Sequence, residues 1–409
     1  MSITLRLSWR NIWRNRRRTL LTISAIAFAA AILVFMVTLQ LSSYDTMIDY
    51  TLRVYHGHLQ VQPKGYLDKP QMINTIPDAR AIGSHIRKLT GLAAVSVRAM
   101  GFALASSKAR SYGVQVIGVE SEYEGKVSTI PGLVKKGRFL SSDDAQEAVI
   151  GHVLARNLKL NVGEEITLLG TGWDGSVAAT VVPVVGIFES GSAELDRHLL
   201  QLPLGTFQDV FSMENHAHAI VVLGDNLKRL KDLMGIVRAG LPPESRLAVL
   251  SWEALIPGLK QAIQVDWASG WFLYLCLIII VTFSILNTFL MSVLERTREF
   301  GIMLALGAKP GRISALVMLE SMWLTLLGLA VGVVIGIAVV TYFHIRGFSY
   351  PGLEELAAYY NLPGIIELSL SPLSLTLGPA AILLATCVTA LYPALRIRRF
   401  KPADAMRAV

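Results

Sequence analysis

Glu295-Arg296-Thr297-Arg298-Glu299-Phe300-Gly301-Ile302-Met303-Leu304-Ala305-Leu306-Gly307-Ala308-Lys309-Pro310 is a short, charged, helix-prone stretch set between two long apolar runs, 270–294 and 313–343. A polar segment this small, between two runs able to cross a bilayer, cannot bury a core of its own. It is a connector or a contact surface for something else, and which of the two decides what the chain does. Working outward, 20–41 and 373–395 are also apolar and reach the roughly 20 residues that a membrane crossing takes. The run at 313–343 exceeds that need and is expected to tilt or to extend beyond the bilayer. Hydrophobic residues make up 53% of the chain and mean hydropathy is +0.49, too high for an ordinary soluble domain. Charged residues, at 17%, are too many for a chain lying wholly in membrane. The expected fold class is a polytopic α-helical membrane protein with four transmembrane helices and a large α+β domain inserted between the first and second.

The formal net charge of +8 raises nucleic acid as a partner, but the placement of the charge argues for topology instead. Arg6, Arg10, Arg14, Arg16, Arg17 and Arg18 precede the first run; Arg296, Arg298, Lys309 and Arg312 lie between the second and third; Arg396, Arg398, Arg399, Lys401 and Arg407 follow the fourth. Against these stand only Glu295, Glu299 and Asp404, while 42–268 is close to neutral and 344–372 is slightly acidic. Basic residues beside short loops stay in the cytoplasm. Residues 1–19, 295–312 and 396–409 are therefore expected on the cytoplasmic side, and 42–268 and 344–372 on the other. The first apolar run is too long for a cleaved signal peptide and lacks a small-residue cleavage pattern, so it reads as an uncleaved anchor. Cys276 and Cys387 both fall inside spans and read as packing residues rather than a disulfide framework.

Within 42–268, alternating segments at 58–62 and 112–117 read as half-buried strands, and 79–89 as an amphipathic helix. Residues 220–223, 226–239 and 247–250 read as strand, helix and strand, with Asn226 as N-cap. A βαβ-type core is thus expected from about 42–119 and 218–268, holding a β-rich insertion at about 120–217 that Gly151, Gly163, Gly170, Gly172, Gly175 and Gly186 punctuate. Chemistry is scarce there. His56-x-His58 and His216-x-His218 each place two imidazoles on a strand, but without a Cys or carboxylate cluster they read as strand-end histidines, with no metal site. Asp143-Asp144 and Glu164-Glu165 read as solvated turn charges. No nucleophile elbow, zinc-protease helix or Cys-x-x-Cys motif occurs, and no P-loop. No catalytic residue is assigned, and no cofactor is expected on this chain.

The spans are nearly free of ionisable groups, which disfavours a proton or ion relay. Glu320 is the exception, expected to reach the interface or an arginine partner and so to serve as a structural contact, hinge or coupling point. Gly328, Gly332 and Gly336 form a small-residue ridge for close helix packing, inside the protomer or between protomers.

At 295–313 the chain resembles the cytoplasmic coupling helix of the MacB/LolC/LolE/FtsX-type ABC transporter permeases, the mechanotransmission (type VII) group, which reads E-R-x-x-E-[FI]-G-[IL]-x-x-A-[LI]-G-[AM]. Trp9-Arg10-Asn11-Ile12-Trp13-Arg14-Asn15-Arg16-Arg17-Arg18-Thr19 is similar to the family's N-terminal entry, and Glu320 with the glycines after it to the start of its third span. Pro393, Ala394 and Arg396 with Pro402, Ala405, Met406 and Arg407 resemble its C-terminal signature. Residues 148–164 and 184–191 resemble its periplasmic core. The order of one span, a large domain and three spans agrees. The chain departs from MacB in carrying no fused ATPase and from FtsX in its larger extracytoplasmic domain, and its start at 55–61 looks closer to LolC/LolE.

The resemblance implies a non-catalytic subunit of the bacterial inner membrane, in contact with membrane lipid and paired with a second permease copy or a homologous permease. A dimer of separate ABC ATPase subunits would bind ATP and Mg. Glu295, Arg296, Arg298 and Glu299 would supply ionic contacts in the ATPase groove, and Met303, Leu304 and Leu306 apolar ones, within the motif that also holds Phe300, Gly301 and Gly307. The cargo expected first is a lipoprotein or other lipidated molecule, handed to a periplasmic chaperone. Efflux through a periplasmic adaptor and outer-membrane duct comes second. A membrane protein that regulates a periplasmic enzyme, without ATPase contact, is the reading from another class.

Overall fold

The computed structural model describes residues 3–91, 94–108, 110–242, 245–353, 357 and 364–397. In chain order, α1 (Ile3–Ile12) and α2 (Arg16–Thr51) come first, and α2 passes into a π-helical turn, Leu52–His56. Then follow β1 (Leu59–Pro63), α3 (Ala79–Thr90), β2 (Val95–Ser107), β3 (Arg110–Val119), α4 (Ser121–Val127), β4 (Val134–Gly137), β5 (Ala148–Gly151) and α5 (His152–Leu158). Next are β6 (Glu165–Thr171), β7 (Val177–Phe188), α6 (Ala193–His198), β8 (Leu199–Pro203), α7 (Leu204–Val210), β9 (Ala219–Val222), α8 (Leu230–Ala239), β10 (Leu247–Ser251) and α9 (Trp252–Leu255). The chain closes with α10 (Pro257–Glu295), α11 (Thr297–Ala305), α12 (Pro310–Arg346) and α13 (Pro372–Ile397). Two compact units result, a helical one of 1–44, 263–349 and 365–409 and an α/β one of 45–262 with 350–364.

Among the described residues, four helices are long and apolar enough to cross a membrane, within Arg16–His56, Pro257–Glu295, Pro310–Arg346 and Pro372–Leu395. The most apolar window of the first is 50% buried against 22–33% for the others, so α2 is the central helix. Its Ile26, Ala30 and Leu33 meet Ile278, Ile285 and Phe289 of α10, Leu329 of α12 and Ile382 of α13. The glycine ridge of α12 packs inside the protomer, against α2. A Cβ on Gly328 would stand 2.6 Å from that of Ile26, and one on Gly332 would stand 2.5 Å from the Ala27 carbonyl oxygen. Cys276 and Cys387 are free thiols on α10 and α13. At the end of the spans away from α11, Tyr44 donates to Asp266 (2.5 Å) and Tyr274 to Gln40 (2.5 Å), tying α2 to α10.

The α/β unit is built on one ten-stranded sheet ordered β10-β1-β9-β2-β3-β8-β5-β7-β4, with β6 joined to β2 and β7. β9 lies antiparallel between β1 and β2, and β1 lies antiparallel between β9 and β10. The units β1-α3-β2 and β9-α8-β10 are therefore parallel pairs, each split by a strand of the other. Residues 120–217, expected as a β-rich insertion, hold β4 to β8 and continue the same sheet. The reason is β2, whose 13 residues exceed what β9 can pair. Val95–Arg98 pair with β9, and Ala103–Ser106 pair with β6. With β6 also on β7, the path β2-β3-β8-β5-β7-β6 closes on itself, and Ala103, Val114, Ile150, Ile166, Leu168, Val182 and Leu200 share one buried core.

Asn226 stands at the head of the helical segment after β9, where its carbonyl accepts from the Arg229 N–H (3.1 Å). A 3-10 turn, Leu227–Arg229, comes first and α8 starts at Leu230. The histidine pairs are spent on the fold. His218 is buried, accepts from the Met100 N–H at Nδ1 (2.9 Å) and donates from Nε2 to the Met72 carbonyl (3.2 Å). Burial pushes its pKa down to about 4, so it stays neutral. His58 accepts from the Gly224 N–H (3.1 Å) and faces Asp49 (3.0 Å). Asp143, expected as a solvated turn charge, holds the Ser121 N–H at 2.7 Å and pairs with Arg80 at 3.4 Å. Arg98 is buried, with its charge met by the equally buried Glu124 at 2.6 Å and by the Tyr55 carbonyl.

Candidate functional site

The opening stretch folds as a corner. α10 ends at Glu295, the nine residues of α11 follow, and α12 begins at Pro310, whose missing N–H costs nothing in a first turn. Between them the chain turns at Gly307, with φ +89°, where the Gly307 N–H reaches the Leu304 carbonyl and the Ala308 N–H reaches that of Met303. This pair of bonds is a Schellman stop, and glycine takes its left-handed position without strain.

A helix this short has one face to seat and one to offer. Phe300, with no exposed surface, enters a cluster with Val293, Ile313 and Val317, and Met303, Leu304 and Ala308 pack on it. Phe300, Met303 and Leu304 fall at i, i+3 and i+4, so they share a side. Arg298, Ile302, Ala305 and Leu306 lie on the other, exposed side, Ile302 at 47% and Leu306 at 83%. Met303 and Leu304, expected as contacts for a partner, are therefore partly buried in the corner itself. Ile302 and Ala305 take the outward places.

The charges divide in the same way. Arg296, expected to face a groove, is buried and donates to both oxygens of Glu320 (2.9 and 3.1 Å) and to Glu299 (3.1 Å). Asn11 of α1 donates to the same Glu320 at 2.7 Å. Arg14 meets Glu299 with both nitrogens (2.5 and 3.1 Å), and Arg18 meets Glu295 (2.7 Å) and Ser292 (2.9 Å). The N-terminal arginine segment, the α11 corner and the one carboxylate within the spans are thus a single network. Asn11, Arg14, Arg18 and Ser292 carry no signal for this in the sequence, since the partners stand up to 309 positions away. Among the motif residues, Arg298 and Leu306 are exposed and form no ion pair or buried contact among the described residues, Gly307 is exposed at the turn, Glu295 is exposed but paired, and Phe300 and Gly301 are buried. Arg396 has no described side chain, and 402–407 lie outside the described residues.

Hydrogen bonds from Arg14 and then Arg296 hold the Glu299 carboxyl below its usual 4.5, and Glu299 in turn raises Arg14. A carboxylate with a depressed folded pKa stabilises above its unfolded value and loses that contribution as pH falls through the folded one. Glu299→Gln is therefore expected to lower the thermal stability of the purified chain at neutral pH, with the gap to wild type closing as pH falls below about 4. Melting curves of both proteins across that range check this, and a gap that stays constant contradicts it.

Elsewhere, the α/β unit holds an open cavity of about 810 Å³ walled by the exposed Phe102, Leu104 and Leu169, with His56, Glu194 and His198 at its rim. Among the described residues, no three His, Cys, Asp or Glu side chains gather as metal ligands.

Residues 271–402 match a family model described as the FtsX-like permease C-terminal region, and residues 19–235 match the MacB-like periplasmic core domain. The chain is 22% identical over 414 residues to the lipoprotein-releasing system transmembrane protein LolC of Neisseria meningitidis, covering 95% of this chain and 94% of that one. It is 22% identical to LolE, named likewise, of Haemophilus influenzae, covering 98% of both. It is also 22% identical to the macrolide export ATP-binding/permease protein MacB of Campylobacter jejuni, covering 88% of this chain and 57% of that one.

Proposed function

The chain belongs to the ABC transporter permeases that join a MacB-like periplasmic core to an FtsX-like C-terminal region, and on that premise we propose that it is the membrane subunit passing ATP-driven motion to the periplasmic domain. Separate cytoplasmic ATPase subunits would bind ATP and Mg and close on α11, with both termini of this chain on the same side as the ATPases. The observation that carries the reading is the division of α11. One side is fastened to Arg14 in the elbow before α2, to α10 and to α12 through Glu299, Phe300 and Arg296, and the other presents Arg298, Ile302, Ala305 and Leu306 with no seat among the described residues. An apolar stripe edged by a cation is what helix-in-groove recognition uses. A push on the outward side would travel through the ion network into α2, an unbroken helix from Arg16 to Thr51, and into α10. A partner ABC ATPase should co-purify with this chain, and Ile302→Asp with Leu306→Asp should abolish that association while the melting temperature is kept. An unchanged complex would sink the assignment.

The cargo we propose is a lipoprotein or other lipidated molecule lifted from the inner membrane, released to a periplasmic chaperone. Support comes from relatives bearing the lipoprotein-releasing name over nearly the whole chain and from the apolar-walled cavity of the periplasmic domain. Capture of a lipid-binding chaperone on the purified chain supports this reading, whereas an adaptor and outer-membrane duct in its place would favour efflux.

A further inference from the structure

The six arginines of the N-terminal segment have two different fates. Arg14 and Arg18 are spent on Glu299 and Glu295. Arg6, Arg10, Arg16 and Arg17 are exposed and form no ion pair among the described residues. The segment carries no acidic residue of its own, the first in the chain being Asp45. Arg6, Trp9 and Arg10 follow at i, i+3 and i+4 and so share one face of α1, which Trp13 in the elbow adjoins through its ring contact with Trp9, whereas Ser8 and Ile12 are buried and Asn11 is bonded to Glu320. On that face Trp9 is 38% and Trp13 41% exposed. Both indoles are fixed, Trp9 edge-on to Trp13 at 6.2 Å and to Trp323 of α12 at 5.3 Å. Directly beyond the elbow, the exposed Leu20 and Leu21 begin the apolar run of α2.

Indoles that are apolar in body and polar at one edge settle at the headgroup level of a bilayer, and guanidinium forks match phosphate oxygens. We propose that α1, the elbow at 13–15 and Arg16–Arg17 form a binding site for the phosphodiester headgroups of anionic phospholipids. Arg6, Arg10, Arg16 and Arg17 take the phosphates, and Trp9 and Trp13 lie against the glycerol and upper acyl region. Asn11 and Arg14 of the same segment hold Glu320 and Glu299, so the bound lipid also fixes the platform on which α11 is mounted. The site goes beyond the coupling role and does not depend on it.

The test places the full-length chain in nanodiscs of zwitterionic lipid containing a minor share of brominated phosphatidylglycerol or brominated phosphatidylcholine. Tryptophan quenching is read, and the signal of a Trp9→Phe/Trp13→Phe variant is subtracted. Phosphatidylglycerol is expected to quench these two indoles with an apparent preference of about threefold to tenfold over phosphatidylcholine, shrinking as salt rises. Substituting Arg6, Arg10, Arg16 and Arg17 together by glutamine should erase the preference, and substituting them by lysine should keep most of it. Equal quenching by the two lipids, a preference insensitive to salt, or one that survives the glutamine variant would overturn the proposal. So would a glutamine variant that keeps its lipid preference and instead loses an acidic protein partner. If the glutamine variant fails to insert, the salt series and the lysine variant still decide.

Discussion

Gly332→Val is expected to lower the stability of the helical unit by about 1–3 kcal/mol, with a melting temperature lowered far more than by a surface change. At this position α12 and α2 touch backbone to backbone. A Cβ would stand 2.5 Å from the Ala27 carbonyl oxygen, 2.7 Å from the Ala30 Cβ and 2.9 Å from the Ala27 Cα. No rotamer change relieves contacts with main chain, so the helices must part. Helices in a bilayer gain no hydrophobic energy from association and depend on close packing, which parting removes along the whole ridge from Gly328 to Gly336. Overpacking of this kind costs about 1–3 kcal/mol, and its spread along a helix pair takes it toward the upper end. Gly311, at the start of α12, has open space where its Cβ would be and serves as the control. Thermal unfolding in detergent of Gly332→Val beside Gly311→Ala reads the result. A Gly332→Val protein as stable as the control would mean that α2 and α12 do not meet there.

The second large effect is expected at Glu299. On the proposed coupling role, Glu299→Lys should cut the ATP turnover that the chain stimulates in its ATPase partner, with little loss of membrane insertion. Arg14 holds this carboxylate with both nitrogens and Arg296 with one. The pairs are partly exposed, so the lost attraction is modest in stability. The replacement is different in kind, since three cations then face one another at the root of α11, with the buried Glu320 left to hold Arg296 against them. α11 keeps its Phe300 anchor but loses its orientation, and transmission of motion depends on orientation. Stimulated turnover is expected to fall by about tenfold or more, and the Arg14→Glu/Glu299→Lys exchange to restore part of it, as a coupling of about 1 kcal/mol between contacting charges allows. Turnover unchanged by Glu299→Lys would remove the coupling role. An exchange that rescues nothing would show that the charge at Glu299 matters for another reason.

Much of this was legible along the chain. Apolar runs marked each membrane-crossing helix because a bilayer demands a minimum apolar length, whatever the neighbours are. The strands at β1 and β3 showed in their alternation, a local property of the pleat, and β9 and β10 as short apolar runs flanking a helix. The corner after α11 showed in Gly307 and Pro310, whose backbone preferences need no tertiary partner. Glu320 stood out as a carboxylate in apolar sequence, and a need for a cation followed.

The remaining features belong to contacts between distant residues. Which arginine answers Glu320 was decided by the approach of α10 and α12, and Asn11 joined it from the far end of the sequence. Which side of α11 faces outward was decided by the Phe300 cluster, a matter of three helices meeting. Residues 120–217 looked like an insertion because turn signals delimit elements without saying which edge they pair with, and the length of β2 then carried the sheet across the boundary. The sequence by itself determined the class, the spans and the corner, since these follow from local hydropathy and backbone preference. The tertiary structure alone decided the sheet closure, the ion network and the free face of α11, since each is a pairing across tens to hundreds of residues that no local pattern encodes.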